Sequence, residues 1–84
     1  MDKEIKSDLP GVFYRSPTPG EPAHANVGDR LTEDSVIGVL ELMKQFNEVR
    51  AGVSGILHKF VVTDGDAVEM DTVLAIVTDE AGTR

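Results

Sequence analysis

Cysteine and tryptophan are absent from the 84 residues, and aromatic side chains make up only 5% of them. Without cysteine, neither a disulfide framework nor a thiolate zinc site can stabilise the fold, which must depend on packing and backbone hydrogen bonds. No apolar run reaches the roughly 20 residues that span a bilayer, and residues 1–6 lack the apolar core of a signal peptide. We therefore expect one small cytoplasmic domain with no membrane partner.

Basic side chains are also scarce, since eight Lys and Arg stand against fifteen Asp and Glu, giving a net charge of −7. This charge repels phosphate backbones, so nucleic acid is not an expected partner. Neither His24 nor His58 has a second histidine nearby in sequence, and the acidic residues 64–71 lack the spacing of a calcium loop. We predict no metal site and assign the acidic residues to turns. Ser54 lacks the context of a nucleophile elbow, so no catalytic residue is predicted.

Short β-prone stretches separated by turn signals dominate the chain from residue 27 onward. Residues 41–50 contain good helix formers, but the internal repeat described below favours strands there. Residues 1–9 alternate charges without an apolar period and are predicted to form a flexible tail. The domain is then expected to cover residues 10–80, with a second tail at 81–84. Three prolines in the segment 16–22 predict a stiff loop.

An internal repeat relates the two halves of the chain. A shift of 37 residues places Gly28 and Asp29 on Gly65 and Asp66, and a shift of 44 places residues 11–13 on 55–57. Two β-rich halves that cannot bury their apolar faces alone should pack together about a pseudo-twofold axis. The prediction is an all-β flattened barrel or sandwich of about eight strands. Its predicted core is Val12, Val36, Val39, Ile56, Val62, Val73, Leu74 and Ile76.

The segment 41–46 joins the two halves, which predicts an exposed hairpin with Lys44 near its tip, opposite the termini. This segment resembles the biotinyl-lysine hairpin of the biotin carboxyl carrier family, whose usual motif reads Glu-Ala-Met-Lys-Met. Glu41, Met43 and Lys44 match that motif, whereas Leu42 and Gln45 depart from it. The resemblance extends over about residues 11–78.

The resemblance implies a carrier without catalytic residues of its own. Lys44 would receive biotin from a biotin protein ligase and carry carboxybiotin from a biotin carboxylase to a carboxyltransferase. Such acetyl-CoA-type carboxylases serve fatty acid biosynthesis. The residues that the ligase or a partner would read are Glu41, Leu42, Met43 and Gln45.

Carriers of the acetyl-CoA carboxylase type also have an extra loop, or thumb, that leans toward the biotin. The matching positions here are Ser16, Pro17, Thr18 and Pro19. Two alternatives stay open: a lipoyl carrier, or an unmodified interaction module of the same fold. The lipoyl family usually has Asp before its lysine, where this chain has Met43.

Overall fold

The computed structural model describes residues 2–16 and 20–79. In these ranges the chain forms strands only, and no helix that could cross a membrane is found. Within the described residues, eight strands follow one another: β1 (Lys3–Lys6), β2 (Gly11–Tyr14), β3 (Arg30–Leu31), β4 (Val36–Leu42), β5 (Gln45–Arg50), β6 (Gly55–Phe60), β7 (Asp66–Val68) and β8 (Val73–Thr78).

The strands form two antiparallel sheets with matching strand orders. The first sheet has the order β1-β8-β6-β3, and the second sheet has the order β5-β4-β2-β7. The two repeat shifts convert each strand of one sheet into the strand at the same place in the other. Even the register agrees, because Leu40 pairs with Asn47 and the equivalent Val77 pairs with Lys3. The predicted all-β fold of two pseudo-twofold-related halves is confirmed.

The turns of the two halves are also equivalent. The Asp29 carboxylate accepts a hydrogen bond from the Asn26 amide at 2.9 Å, and Asp66 accepts one from the Thr63 amide at 2.8 Å. A carboxylate that closes its own turn in this way replaces a backbone partner and fixes the loop. Asp66 is the first residue of β7, and its carboxylate closes the turn that precedes the strand.

The core lies between the two sheets, and only part of the predicted set reaches it. Leu74 belongs to the core cluster and Val62 packs partly buried against it. Val39 is buried but lies outside that cluster, and the other five predicted residues are only half-buried. Because strand side chains alternate between faces, a core prediction that is shifted by one residue along a strand selects the outward-facing side chain. The observed core cluster is Ile5, Phe13, Ala25, Leu31, Ile37, Leu40, Val49, Ala51, Leu57, Val68, Leu74, Ala75 and Val77.

The N-terminal segment belongs to the fold, so the prediction of a tail over residues 1–9 is wrong for Lys3–Lys6. These residues form β1 at the edge of the first sheet, where Ile5 pairs with Ala75 and is 3% exposed. Charged residues flank Ile5 and conceal its pattern in the sequence, yet one buried residue and a ladder of backbone hydrogen bonds hold the strand. The predicted tail at 81–84 lies outside the described residues.

Candidate functional site

Strands β4 and β5 meet in a two-residue hairpin at Met43 and Lys44. Leu42 and Gln45 pair across its base, and both tip residues have positive φ, 54° for Met43 and 66° for Lys44. Two consecutive positive φ angles are the feature of a type I′ turn, which fits the twist of the flanking strands and usually uses Asn and Gly. A non-glycine residue in this region costs about 1–2 kcal/mol. The hairpin prediction for residues 41–46 is confirmed.

The Lys44 side chain is exposed, and so is Met43, with 88% of its surface accessible. Within residues 2–16 and 20–79, no hydrogen bond or ion pair engages the Lys44 ammonium. An unengaged primary amine on a rigid turn can be acylated without breaking any contact of the fold. A group attached there by an amide would therefore extend from the tip of the hairpin into solvent, which is what a tethered carrier needs.

The residues beside the lysine occupy different faces of the second sheet. Phe13 and Leu40 face the core, so alternation places their neighbours Val12 and Glu41 on the opposite face, which we call the outer face. Glu41 is half-buried there, whereas Leu42 follows Leu40 on the core side. Of the four predicted recognition residues, Glu41 is therefore presented on the outer face, and Met43 and Gln45 are exposed near the tip. Leu42 lies beneath the turn.

Close backbone packing supports the base of the hairpin. A Cβ atom added to Gly11 would lie 2.6 Å from the carbonyl oxygen of Glu41, so only glycine lets β2 approach β4 at this point. On the other side, the Asn47 side-chain amide donates to the Leu40 carbonyl at 3.5 Å. The strand that carries Glu41 is thereby held by its partner strands on both sides.

The ends of the predicted thumb segment are anchored to the domain. The His24 amide donates to the Arg15 carbonyl at 2.8 Å, and the Arg15 amide donates to the Asp64 carboxylate at 2.6 Å. The Arg15 guanidinium also lies 4.4 Å from the centre of the Phe60 ring, a cation–π contact. Ser16 is half-buried, two residues beyond the end of β2. Pro17, Thr18 and Pro19 lie outside the described residues.

Sequence reasoning missed Tyr14 as part of this site. Tyr14 lies on the outer face, two residues after Val12, and the pairing of Val12 with Glu41 makes Tyr14 a diagonal neighbour of Glu41. Burial, the Glu41 carboxylate and, more weakly, Asp64 raise the pKa of Tyr14 above its usual value of 10.0. The available signal was the β alternation that places Tyr14 and Glu41 on one face once β2 and β4 are paired.

Other candidate sites receive no support from the side-chain arrangement. In the part of the chain that the structure describes, no three His, Asp or Glu side chains are grouped as metal ligands would be. His24 is half-buried in the connection between β2 and β3, and His58 is exposed on β6. Ser54 lies exposed before β6, and its carbonyl accepts a hydrogen bond from Lys3 at 2.8 Å.

Comparison with known proteins gives consistent matches. The biotin carboxyl carrier protein of acetyl-CoA carboxylase from Chlamydia trachomatis is 44% identical over 70 residues, which cover 83% of this chain and 43% of that protein. The chloroplastic protein of the same name from Glycine max is 41% identical over 73 residues, which cover 87% of this chain and 28% of that protein. This chain thus spans less than half the length of either relative.

A solved structure agrees with the sequence matches. The crystal structure of Kluyveromyces lactis urea carboxylase matches with a TM-score of 0.75 and 27% identity, covering 93% of this chain and 6% of that one. The model of a family described as biotin-requiring enzymes matches residues 3–77, nearly the full length of the chain and all but the last residue of β8. Together with the exposed Met43-Lys44 hairpin between two related halves, this match shows that the chain belongs to the biotin-requiring enzyme family.

Proposed function

We propose that this chain is a biotin carboxyl carrier that holds one biotin on Lys44. In this proposal a biotin protein ligase attaches the group, and the loaded chain moves between a biotin carboxylase and a carboxyltransferase of an acetyl-CoA-type carboxylase. The acetyl-CoA assignment draws on the names of relatives that are 44% and 41% identical. The chain itself carries and presents the group and performs no acid–base step.

The observation that carries the proposal is the placement of Lys44. It is exposed at the tip of a turn whose flanking strands belong to a four-stranded sheet, so the attachment point is rigid while the side chain is free. A lysine on the face of a strand would keep its attached group close to the sheet. Placement at the tip instead raises the effective concentration of the group at any partner site within reach.

The attachment step is the formation of one amide. The carboxyl carbon of biotin, activated by the ligase as a mixed anhydride with a phosphate group, bonds to the Lys44 amine. The bond from that carbon to the phosphate oxygen breaks, the phosphate leaves, and the amine nitrogen loses one proton. The ureido ring of the group then supplies a site that accepts and gives up a carboxyl group. The protein contributes the nucleophilic amine, the fixed position of the turn and the flanking residues Glu41, Met43 and Gln45 that a ligase can read.

We also propose that the segment containing Ser16, Pro17, Thr18 and Pro19 acts as a thumb beside the attached group. Support comes from its two ends, because the bonds of Arg15 to His24 and Asp64 fix where the segment leaves and rejoins the domain. Deletion of residues 16–22 should leave attachment to Lys44 intact and change the rate of carboxyl transfer. Loss of attachment would instead indicate a role in folding or in ligase recognition.

The test of the carrier function is the intact mass of the chain after expression with biotin and a ligase. We expect one added biotinyl group in the parent, none in Lys44→Arg, and one in the control Lys59→Arg, whose lysine is exposed on the face of β6. A gain of one lipoyl group would show that the chain is a lipoyl carrier instead of a biotin carrier. No gain with any ligase, including that of the host, would contradict both carrier functions and leave an interaction module.

The later steps need a second readout. With bicarbonate and ATP, a biotin carboxylase should release ADP in a manner that depends on the loaded chain. The Lys44→Arg variant should give only the background rate. Equal rates with parent and variant would show that the chain does not deliver the group to that enzyme.

A further inference from the structure

The outer face of the second sheet carries an ordered set of side chains beside the attachment hairpin. Val12, Glu41 and Phe46 lie directly opposite one another across β2, β4 and β5, and Tyr14 lies opposite Val39 in the next row. Phe46 remains 61% exposed although it is large and apolar. A carboxylate and an exposed aromatic ring are thus neighbours on one surface, three and two residues away from Lys44.

Tyr14 and Glu41 are diagonal neighbours in this arrangement. Such pairs lie about 7–8 Å apart at Cα, which long side chains can span. Both side chains are half-buried, and the Glu41 carboxylate is one of the groups that raise the pKa of Tyr14. A hydrogen bond from the Tyr14 hydroxyl across this diagonal would limit the rotamers open to Glu41 and so reduce the ordering cost when a partner binds the carboxylate.

We propose that Tyr14 is a positioning residue: its hydroxyl holds the Glu41 carboxylate beside Phe46, and the biotin protein ligase reads this carboxylate–aromatic pair when it approaches Lys44. The complementary ligase surface would carry a cationic side chain next to an apolar pocket, since the paired groups are an anion and an exposed ring. This inference rests on the proposed biotin function. Of its two tests, the titration of Tyr14 does not depend on that function.

The independent test uses the fact that Tyr14 is the one tyrosine and that tryptophan is absent. Titration of the near-ultraviolet absorbance therefore reports Tyr14 alone. We expect a midpoint above 10.0 in the parent and a lower midpoint in Glu41→Gln. The control is Glu48→Gln, because Glu48 is exposed on the same strand as Phe46 and pairs with Arg50 at 3.3 Å. A Glu41→Gln midpoint equal to that of the parent would overturn the contact.

The functional test is the steady-state kinetics of ligase with each apo variant as substrate. Tyr14→Phe should raise KM about fivefold to tenfold with kcat nearly unchanged, as expected for loss of one side-chain hydrogen bond. Glu41→Gln should raise KM at least as much, and the double variant should match Glu41→Gln alone, because the two residues act as one unit. The matched control is His58→Phe, since His58 occupies the position equivalent to Tyr14 in the other half.

Several outcomes would overturn the proposal. If the increases in KM of the two single variants multiply in the double variant, Tyr14 acts independently of Glu41. A normal KM in Glu41→Gln would show that the ligase does not read the carboxylate, and a defect seen only with the biotin carboxylase would assign the surface to that enzyme. If the parent accepts no biotin, the carrier function fails and ligase reading fails with it, while the absorbance titration still decides whether Tyr14 holds Glu41. Thermal unfolding of each variant identifies any loss that comes from misfolding.

Discussion

Gly11 and Gly55 occupy the same position in the two halves, and each presses against the carbonyl of the neighbouring strand. A Cβ on Gly11 would lie 2.6 Å from the Glu41 oxygen, and a Cβ on Gly55 would lie closer still to the Thr78 oxygen. The residues that they meet, Glu41 and Thr78, are themselves related by the shift of 37. Both glycines therefore enforce the same close approach of strands, once beneath the hairpin and once at the opposite end of the domain.

Alanine at Gly11 should consequently destabilise the protein strongly. Its φ of 153° and the contact with backbone atoms combine strain with overpacking, so we expect a loss of about 2–4 kcal/mol of unfolding free energy. Gly28→Ala is the control, because its φ is also positive but no atom lies within 4 Å of the added Cβ. It should lose about 1 kcal/mol. Equal losses in urea denaturation would show that close approach contributes nothing beyond backbone strain.

Glycine at the hairpin tip should have the opposite effect. Met43→Gly removes the left-handed penalty of a side chain at φ 54°, partly offset by greater freedom of the unfolded chain, so we expect a gain of up to about 1 kcal/mol. Gln45→Gly, in the adjacent strand, should lose about 0.5–1 kcal/mol. Thermal unfolding compares the two. A loss in Met43→Gly as large as that in Gln45→Gly would indicate that Met43 makes stabilising contacts that outweigh the strain.

Strand β1 should prove necessary for stability. Ile5 is 3% exposed, so Ile5→Ala should lower the unfolding free energy by about 2–4 kcal/mol, whereas the exposed Glu4→Ala should stay within about 0.5 kcal/mol. Urea denaturation measures both values. If the two variants unfold at the same urea concentration as the parent, β1 is not a stabilising part of the domain.

Adjacent residues on one strand should differ sharply in their contribution. Leu57 is fully buried and its neighbour Ile56 is half-buried on the other face of the first sheet. Leu57→Ala should therefore cost about 2–5 kcal/mol and Ile56→Ala about 1 kcal/mol, because only the first leaves a cavity. The urea midpoints of the two variants check this order, and a reversed order would place the core on the opposite face.

The raised pKa of Tyr14 predicts a specific loss of stability in alkali. Burial first, and then Glu41 and Asp64, disfavour the phenolate in the folded state, whereas the unfolded chain titrates near 10.0. The contribution is thus fully present below pH 10.0 and is lost as the pH rises through the folded-state pKa. Tyr14→Phe should show a flatter decline of urea midpoint between about pH 9 and 11. Parallel declines for parent and variant would contradict the assigned shift.

The fold was largely predictable because the repeat is written in residues that have a local role. Gly28 and Gly65 have positive φ, and Asp29 and Asp66 close their turns with their own carboxylates, so each pattern reports local backbone geometry. The position of Lys44 followed from the segment that joins the two halves, and its role followed from the resemblance of residues 41–45 to the biotinyl-lysine motif. The strand β1 was missed because Ile5 stands alone between charged residues, and its equivalence to β5 becomes visible only when the shift of 44 is extended to the N-terminus.

Short stretches of the chain specify the two related halves, the turns between strands and the exposed lysine at their junction, because each of these features depends on a few neighbouring residues. The tertiary structure alone decided which face of each strand is buried, because apolar residues such as Val12 and Phe13 are adjacent and only sheet packing distinguishes them. It also decided that Tyr14 lies beside Glu41. These residues are 27 positions apart in the sequence and become neighbours only because β2 pairs with β4 in one register.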